Sequence, residues 1–299
     1  MIQTATDFLS HAYTTVFATL DRLVVPAIFF FMLALVLHRR QGLTYFQKRV
    51  PQMALNIKIV LFNVLFVVPF LFFLGALIAK AVEILGIAIV PETVWAEMPV
   101  WLVILIAVII GDFTGYWRHR LQHVSALWPA HSIHHSDTDM TWMTVERFHP
   151  VDRLSTYIID NTILMLLGMP PFAFFANNFV RHYYGAFVHA DLPWTYGPLR
   201  FVLVSPAMHQ WHHANNPKAY NSNFAGVFSI WDQIFGTFYL PGRCNVPLGV
   251  SDKIEKTLVG QLTYPFESRA YRSHTQKHPA NLTKEASPAH PATQSIDRK

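Results

Sequence analysis

The chain has 299 residues, 52% hydrophobic and 14% charged, with 23 Lys and Arg against 18 Asp and Glu for a net charge of +5. A soluble domain carries about 25% charged residues, so the composition excludes an ordinary soluble globule and points to a membrane. Its one cysteine, Cys244, excludes an intramolecular disulfide framework and any Cys-rich zinc or iron–sulfur site, and basic residues confined to loops between apolar runs give no reason to expect nucleic acid.

In chain order, the first apolar run is Leu23 to Leu37, closed by His38-Arg39-Arg40. No basic n-region or small-residue cleavage site precedes it, so it is expected to stay as an anchor and not as a cleaved signal. The second run, Ile57 to Ala79, is interrupted only by Lys58, Asn63 and Pro69. Lys80 to Pro99 is mixed in character and reads as an interfacial segment. The third run, Val100 to Ile110, continues through the amphipathic Gly111 to Trp117.

The fourth, Tyr157 to Val180, is broken at Met169-Pro170-Pro171. Proline stops a helix, so two half-spans forming a hairpin are the simplest reading, with one kinked span the alternative. Basic residues of short loops sit on the cytoplasmic side. Arg39, Arg40, Lys48 and Arg49 after the first run, and Arg118, Arg120, Arg147 and Arg153 after the third, then place the N-terminus outside and the region after the third run in the cytoplasm.

That region carries three histidine boxes: His119-Arg-Leu-Gln-His123, His131-Ser-Ile-His134-His135 and His209-Gln-Trp-His212-His213. Imidazole is the commonest metal ligand. His119 and His123 stand at i and i+4, on one face of a helix. Pro129 favours the first turn of a helix carrying the second box, on which His131 shares a face with His134 or His135. Adjacent histidines on a helix point about 100° apart, so His134 and His135 can face different metals, as can His212 and His213. Eight imidazoles exceed the need of one ion and indicate a pair. With no thiolates present and apolar surroundings, iron that activates oxygen is the expected metal, although imidazole suits zinc and copper as well. His11 and His38 read as interfacial, and His274, His278 and His290 as solvated in a polar tail from about Glu267 that reads as disordered.

From Gly111 to about Leu240 the sequence resembles the fatty acid hydroxylase/sterol desaturase superfamily of membrane non-haem di-iron enzymes. The resemblance is carried by Asp112, Tyr116-Trp117-Arg118-His119-Arg120, Leu127-Trp128 before the second box, Arg147-Phe148-His149-Pro150, Ser205-Pro206 before the third, and Trp231-Asp232-Gln233-Ile234-Phe235-Gly236-Thr237-Phe238. It implies a further ligand at His189, in Phe187-Val188-His189-Ala190-Asp191. Some members have another histidine four residues earlier, where this chain has Gly185. His149 matches a histidine before proline in sterol-type members, and reads here as either a metal ligand or a capping group that orients through its ring nitrogens; His182 is off register and reads as a structural or ligand-supporting residue. Asp112, Glu146, Asp152 and Asp232 are candidate acceptors for ligand N–H groups.

The resemblance further implies two iron ions, with zinc a possible substitute, and the O2-dependent hydroxylation or desaturation of a membrane lipid such as a fatty acyl chain, ether lipid or sterol. Phe172, Phe174 and Phe175 either line the lipid's approach or simply contact the bilayer. No flavin or nicotinamide fingerprint is present, so electrons are expected from a ferredoxin or a cytochrome b5-like donor with its reductase. A zinc-dependent membrane hydrolase, or a non-catalytic metal or lipid carrier, are the alternatives; the hydrolase lacks an HExxH pair. The expected architecture is an all-α, integral membrane bundle of about four passes under a cytoplasmic helical cap: spans in 1–110, a catalytic domain in 111–245 and a largely disordered tail in 246–299.

Overall fold

The structure, a computed structural model, describes residues 2–277, with side chains from Thr14 to Arg272 apart from His38 and Arg40. His11, His38, His274, His278 and His290 fall on residues or side chains outside those described, as does the tail beyond Lys277.

The described residues are all-α. Helix α1 (Ile2–His38) leads through a 3-10 turn at Arg39 to α2 (Gly42–Phe62), which passes by a π-helical turn at Asn63–Val67 into α3 (Val68–Leu85). The short α4 (Glu92–Ala96) precedes α5 (Val100–Gln122). Three stretches are long and apolar enough to cross a membrane: Thr14–Leu37, Gly42–Leu85 and Val100–Gln122. The first is held against the bundle along one stripe only; Val24, Val25, Ile28 and Phe29 are exposed, as befits side chains whose solvent is lipid. The second, 44 residues long, would reach about 66 Å at 1.5 Å per residue, twice the hydrocarbon thickness. Its more polar first half brings Gln52 and Asn56 to the segment that follows α6, where both accept from Arg147.

After α5 come α6 (Trp128–His135), a 3-10 turn at Trp142–Glu146, α7 (Pro150–Leu166) and α8 (Pro171–His189). Of the two readings of the fourth apolar run, the structure adopts the hairpin. Met169-Pro170-Pro171 and Gly168, which takes the left-handed φ of 61°, break the chain between α7 and α8. Asp152 at the start of α7 and His189 at the end of α8 both lie among the histidines, so the pair leaves the histidine end and returns to it. The tip rests on the α3–α5 connection, where Trp95 donates Nε1–H to Leu167 O at 2.8 Å. Phe172, Phe174 and Phe175 lie at this tip, the far end of α8 from His189; Phe172 and Phe175 are exposed, and Phe174 packs against the cluster of Trp95, Leu164 and Ala173.

Helix α5 packs against both α7 and α8. Gly111 and Gly115 make this possible: a Cβ at either would lie 2.0 Å from Asn177 Oδ1 or 2.1 Å from Arg181 Nη2. The Arg181 side chain crosses α5 and donates to Asp160 at 2.8 Å, beside Arg118, which donates to the other Asp160 oxygen at 2.9 Å.

A 3-10 turn at Gly197–Phe201, α9 (Pro206–His212) and α10 (Ile230–Ile234) complete the cap; the connection from Asp191 is otherwise irregular. Downstream, α11 (Leu258–Thr263), a 3-10 turn and α12 (Ser268–Lys277) follow. The expectation of a largely disordered tail from 246 thus fails for its first part. Tyr264 and Ala270 bury against Ile133 of α6, and apolar anchors spaced widely in a polar segment leave little periodicity to read.

Candidate metal centre

Helices α5, α6, α8 and α9 deliver nine imidazoles to one place. They form two groups, each with ligand-capable nitrogens within 4.8 Å of one another: His119, His123, His131, His135 and His212; and His134, His189, His209 and His213. The two HxxHH boxes divide between the groups in opposite senses. His131 and His135 go to the first and His134 to the second, whereas His209 and His213 go to the second and His212 to the first. This is the helical 100° offset at work. The groups interlock, with the His135 and His213 rings stacked 4.3 Å apart.

Local structure fixes these positions. Pro129 stands in the first turn of α6. Pro206 opens α9, whose N-terminus is capped by Ser205, accepting from Met208 N at 3.2 Å. Ring orientation is set from behind. His119 donates Nδ1–H to Phe224 O at 2.8 Å, His212 to Ser222 O at 2.7 Å and His189 to Gly185 O at 2.6 Å. His131 Nδ1 pairs with Asp152 Oδ2 at 3.1 Å. Each bond fixes the tautomer and leaves Nε2 with a bare lone pair facing the group. Nε2 of His119 and of His212 is buried with no hydrogen-bond partner.

The four-histidine group tests whether protons alone could satisfy the arrangement. Its Nε2 atoms run His134, His189, His209, His213 at successive separations of 3.1, 2.9 and 3.2 Å. The His189 lone pair would have to accept from both neighbours, and His209 would have to give one N–H to both of its own. No proton arrangement provides one hydrogen per contact. A shared cation does: nitrogens about 2.1 Å from a metal and at right angles are about 3.0 Å apart. Among the described residues no carboxylate joins either group.

Electrostatics agree. Burial holds His131, His134, His135, His209 and His213 well below the ordinary imidazole range, and takes His189 and His212 down to about 4. All are neutral at pH 7, the form that binds metal.

Of the four carboxylates expected to orient ligands, only Asp152 touches one. Burial pushes its carboxyl up to about 7. Asp112 accepts from Val227 N, Phe228 N and Trp231 Nε1, and Asp232 from Phe224 N and Ala225 N. They clamp the loop whose Phe224 carbonyl holds His119, one step removed from the ligand. Glu146 pairs instead with Arg153 at 3.1 Å and faces His182 at 3.6 Å. His149 stands outside both groups. Its Nδ1 accepts from Val151 N, capping α7, and its Nε2–H donates to Leu262 O at 3.1 Å.

Other contributors carried no histidine signal. Phe148 stacks on His134 at 5.1 Å and 8°, held by Asn63 of the π turn, which donates to Phe148 O at 2.9 Å. Arg147 is fully buried; it donates to Gln52, Asn56, Gln261 and Ile133 O and stands 3.8 Å from the Asp137 carboxylate. Gln52 and Asn56, one turn apart ahead of an apolar run, were the sequence sign of a polar bridge at that place.

A family model described as fatty acid hydroxylase matches residues 104–237. The chain is 30% identical over 188 residues to ornithine lipid hydroxylase OlsE of Rhizobium tropici, covering 62% of this chain and 57% of that protein. It is 32% identical over 179 residues to alkylglycerol monooxygenase of Danio rerio, covering 58% of this chain and 39% of the relative. It is 29% identical over 158 residues to methylsterol monooxygenase 1 of Gallus gallus, covering 48% of this chain and 49% of the relative. The chain thus spans about half the length of these relatives. No solved structure matches it.

Proposed function

This chain belongs to the fatty acid hydroxylase/sterol desaturase superfamily of histidine-box proteins, and from that premise we propose that it is an integral membrane, O2-dependent oxygenase that hydroxylates a lipid. The observation that carries the reading is the pair of imidazole groups, five and four nitrogens strong, whose lone pairs converge without hydrogens to share.

In this reading His119, His123, His131, His135 and His212 hold one metal, and His134, His189, His209 and His213 the other. His149 serves as a helix cap. Two iron ions bound there would supply the activation of O2 needed to attack an unactivated C–H bond. The balance is R–H plus O2, two electrons and two protons giving R–OH and water. An all-nitrogen site without a carboxylate base favours this over metal-assisted hydrolysis, which needs a group to take a proton from water.

The protein's own share is to orient and to dry the site. Carbonyls of Gly185, Ser222 and Phe224, with Asp152, keep the Nε2 lone pairs inward. Phe148 and the buried Phe224 cover the rings and exclude water. The candidate spans bring an aliphatic chain to the foot of α5, where His119 leaves the apolar run. The distribution of basic loops supports a cytoplasmic cap and a cytoplasmic electron donor of the ferredoxin or cytochrome b5 type. The relatives act, by name, on ornithine lipids, alkylglycerols and methylsterols; the substrate class is accordingly a membrane lipid.

Protein purified without oxygen should contain two irons per chain by metal analysis, with the Mössbauer signature of paired nitrogen-ligated iron. Retention of activity with zinc alone would sink the reading. His134→Ala and His212→Ala should each abolish turnover of a lipid identified by comparing cells with and without the gene, while the protein still inserts. Normal turnover by either variant would remove that residue from the metal set.

A further inference from the structure

One face of the cap, beside α5, is apolar and open. Leu199, Phe201 and Val202, at and just after the 3-10 turn, and Ile230 and Ile234, one turn apart on α10, are between 44% and 61% exposed. Hydrogen bonds join the two pieces into one surface. Ser229 donates its N–H to Val202 O at 3.1 Å, and Gln233 donates Nε2–H to Phe201 O at 2.7 Å. A contiguous apolar face on a folded cap marks contact with another protein or with a membrane.

Helix α5 indicates which. Phe113 meets the Trp231 ring edge-on at 5.1 Å, and Trp117 meets Phe235 in the same way at 4.8 Å. Phe113, Trp117 and Leu121, at successive intervals of four, form an exposed stripe of a candidate span, so the two apolar surfaces are continuous. The 23 residues of that span reach about 35 Å at 1.5 Å each, against about 30 Å of hydrocarbon. Phe113 and Trp117 lie about 14 and 8 Å from its end. Helix α10 therefore flanks the span at the depth where hydrocarbon meets headgroups. Charge agrees. From Trp194 to Arg243 the single acidic residue is Asp232, which is buried. Arg120 lies over the Trp117 ring at 5.4 Å and Arg200 over the Phe201 ring at 4.8 Å. Cations whose stems cover apolar surface suit the phosphates of a membrane boundary.

We propose that this face, the 3-10 turn and α10 together with the exposed stripe of α5, is seated in the adjoining phospholipid leaflet, so that the membrane holds the cap at a second place besides the spans. Continuity with the lipid-facing stripe of a span distinguishes a leaflet from a partner protein as the occupant. The proposal rests on the membrane reading of α5 and not on the oxygenase reading. It bears on the metal centre through Asp232 of α10, which accepts from Phe224 N at 2.7 Å, while the Phe224 carbonyl holds His119. The seated helix thereby ties the five-histidine group to the leaflet surface.

The test uses the full chain with Cys244→Ser, in phosphatidylcholine nanodiscs, carrying one nitroxide label at a time. Leu199→Cys and Ile234→Cys report on the face. Ile109→Cys, exposed midway along α5, reports on the span, and Lys218→Cys, exposed after α9, on water. Oxygen concentrates in lipid and a neutral nickel complex in water. Labels at Leu199 and Ile234 should lose nickel access and gain oxygen access, as at Ile109, while Lys218 keeps nickel access. Nickel access at Leu199 and Ile234 equal to that at Lys218 overturns the proposal. So does protection from both reagents, which would seat a protein there. Nickel access at Ile109 would instead fail the membrane reading of α5, and the proposal with it. A check without substitutions is a lipid-soluble diazirine on the unaltered chain, expected to tag Leu199 to Val202 and Ile230 to Ile234. Their escape while α5 is tagged also overturns the proposal. Neither measurement needs metal or turnover, so a failed oxygenase assay leaves the result standing.

Discussion

At the scale of single residues, the centre depends as much on what stands behind each imidazole as on the imidazole. Asp152 Oδ2 holds His131 Nδ1 at 3.1 Å inside the protein. Asp152→Asn keeps an acceptor and loses the charge that raises ligand basicity; Asp152→Ala loses both. Removing such partners weakens metal affinity by about 10–100-fold. Chelator competition should show that loss for Asp152→Ala and a smaller one for Asp152→Asn, on one of two metals. His149 gives the opposite forecast. Both of its ring nitrogens are engaged by protein. His149→Asn should therefore keep full metal content, since Asn is a good N-cap, while His149→Ala should cost about 1 kcal/mol in thermal unfolding. Loss of a metal from His149→Asn would return it to the ligand set.

At the scale of helices, α5 is a ligand carrier only because two glycines let α8 come close. A Cβ at Gly111 would sit 2.0 Å from Oδ1 of Asn177, a short, fully buried side chain. Gly111→Ala is expected to cost about 1–3 kcal/mol through overpacking. Adding Asn177→Ala should restore most of it, and the coupling in a double-mutant cycle of melts in detergent is the measurement. Additive effects would mean the two helices do not meet there. The hairpin of α7 and α8 was readable from Pro170 and Pro171, because proline acts locally. The order in α11 and α12 was not, because Tyr264 and Ala270 are held by Ile133, which is distant in sequence.

At the scale of the whole molecule, burying the histidines of the centre makes stability depend on pH. Burial lowers the folded-state pKa values of His131, His134, His135, His209 and His213, and takes those of His189 and His212 to about 4, whereas in the unfolded chain these imidazoles titrate near about 6.5. Between those limits the unfolded state binds more protons, so stability rises with pH there. Metal-free protein should melt at nearly constant temperature above about pH 7 and at steeply falling temperature toward pH 5. Bound metal should raise the melting temperature at neutral pH and leave the fall toward acid at least as steep, because a metal-held imidazole takes up no proton while the unfolded chain does. A flat profile for the metal-free protein would show that the imidazoles are hydrated and not buried.

The sequence by itself determined the kind of ligand and its membrane setting. Three histidine boxes at helical spacing specify paired imidazole groups, since i and i+4 share a face and neighbours do not, and apolar runs of bilayer length specify a membrane. The same spacing shows why His134 and His135 part company. Only the tertiary structure decided the division into five and four, the place of His149 outside both groups, the choice of Asp152 from four carboxylates, and the Arg49–Asp191 ion pair. Those outcomes are contacts between segments tens to more than a hundred residues apart, set by how α5, α6, α8 and α9 converge. Spacing along a chain records what one helix can present; it does not record what another helix brings to meet it.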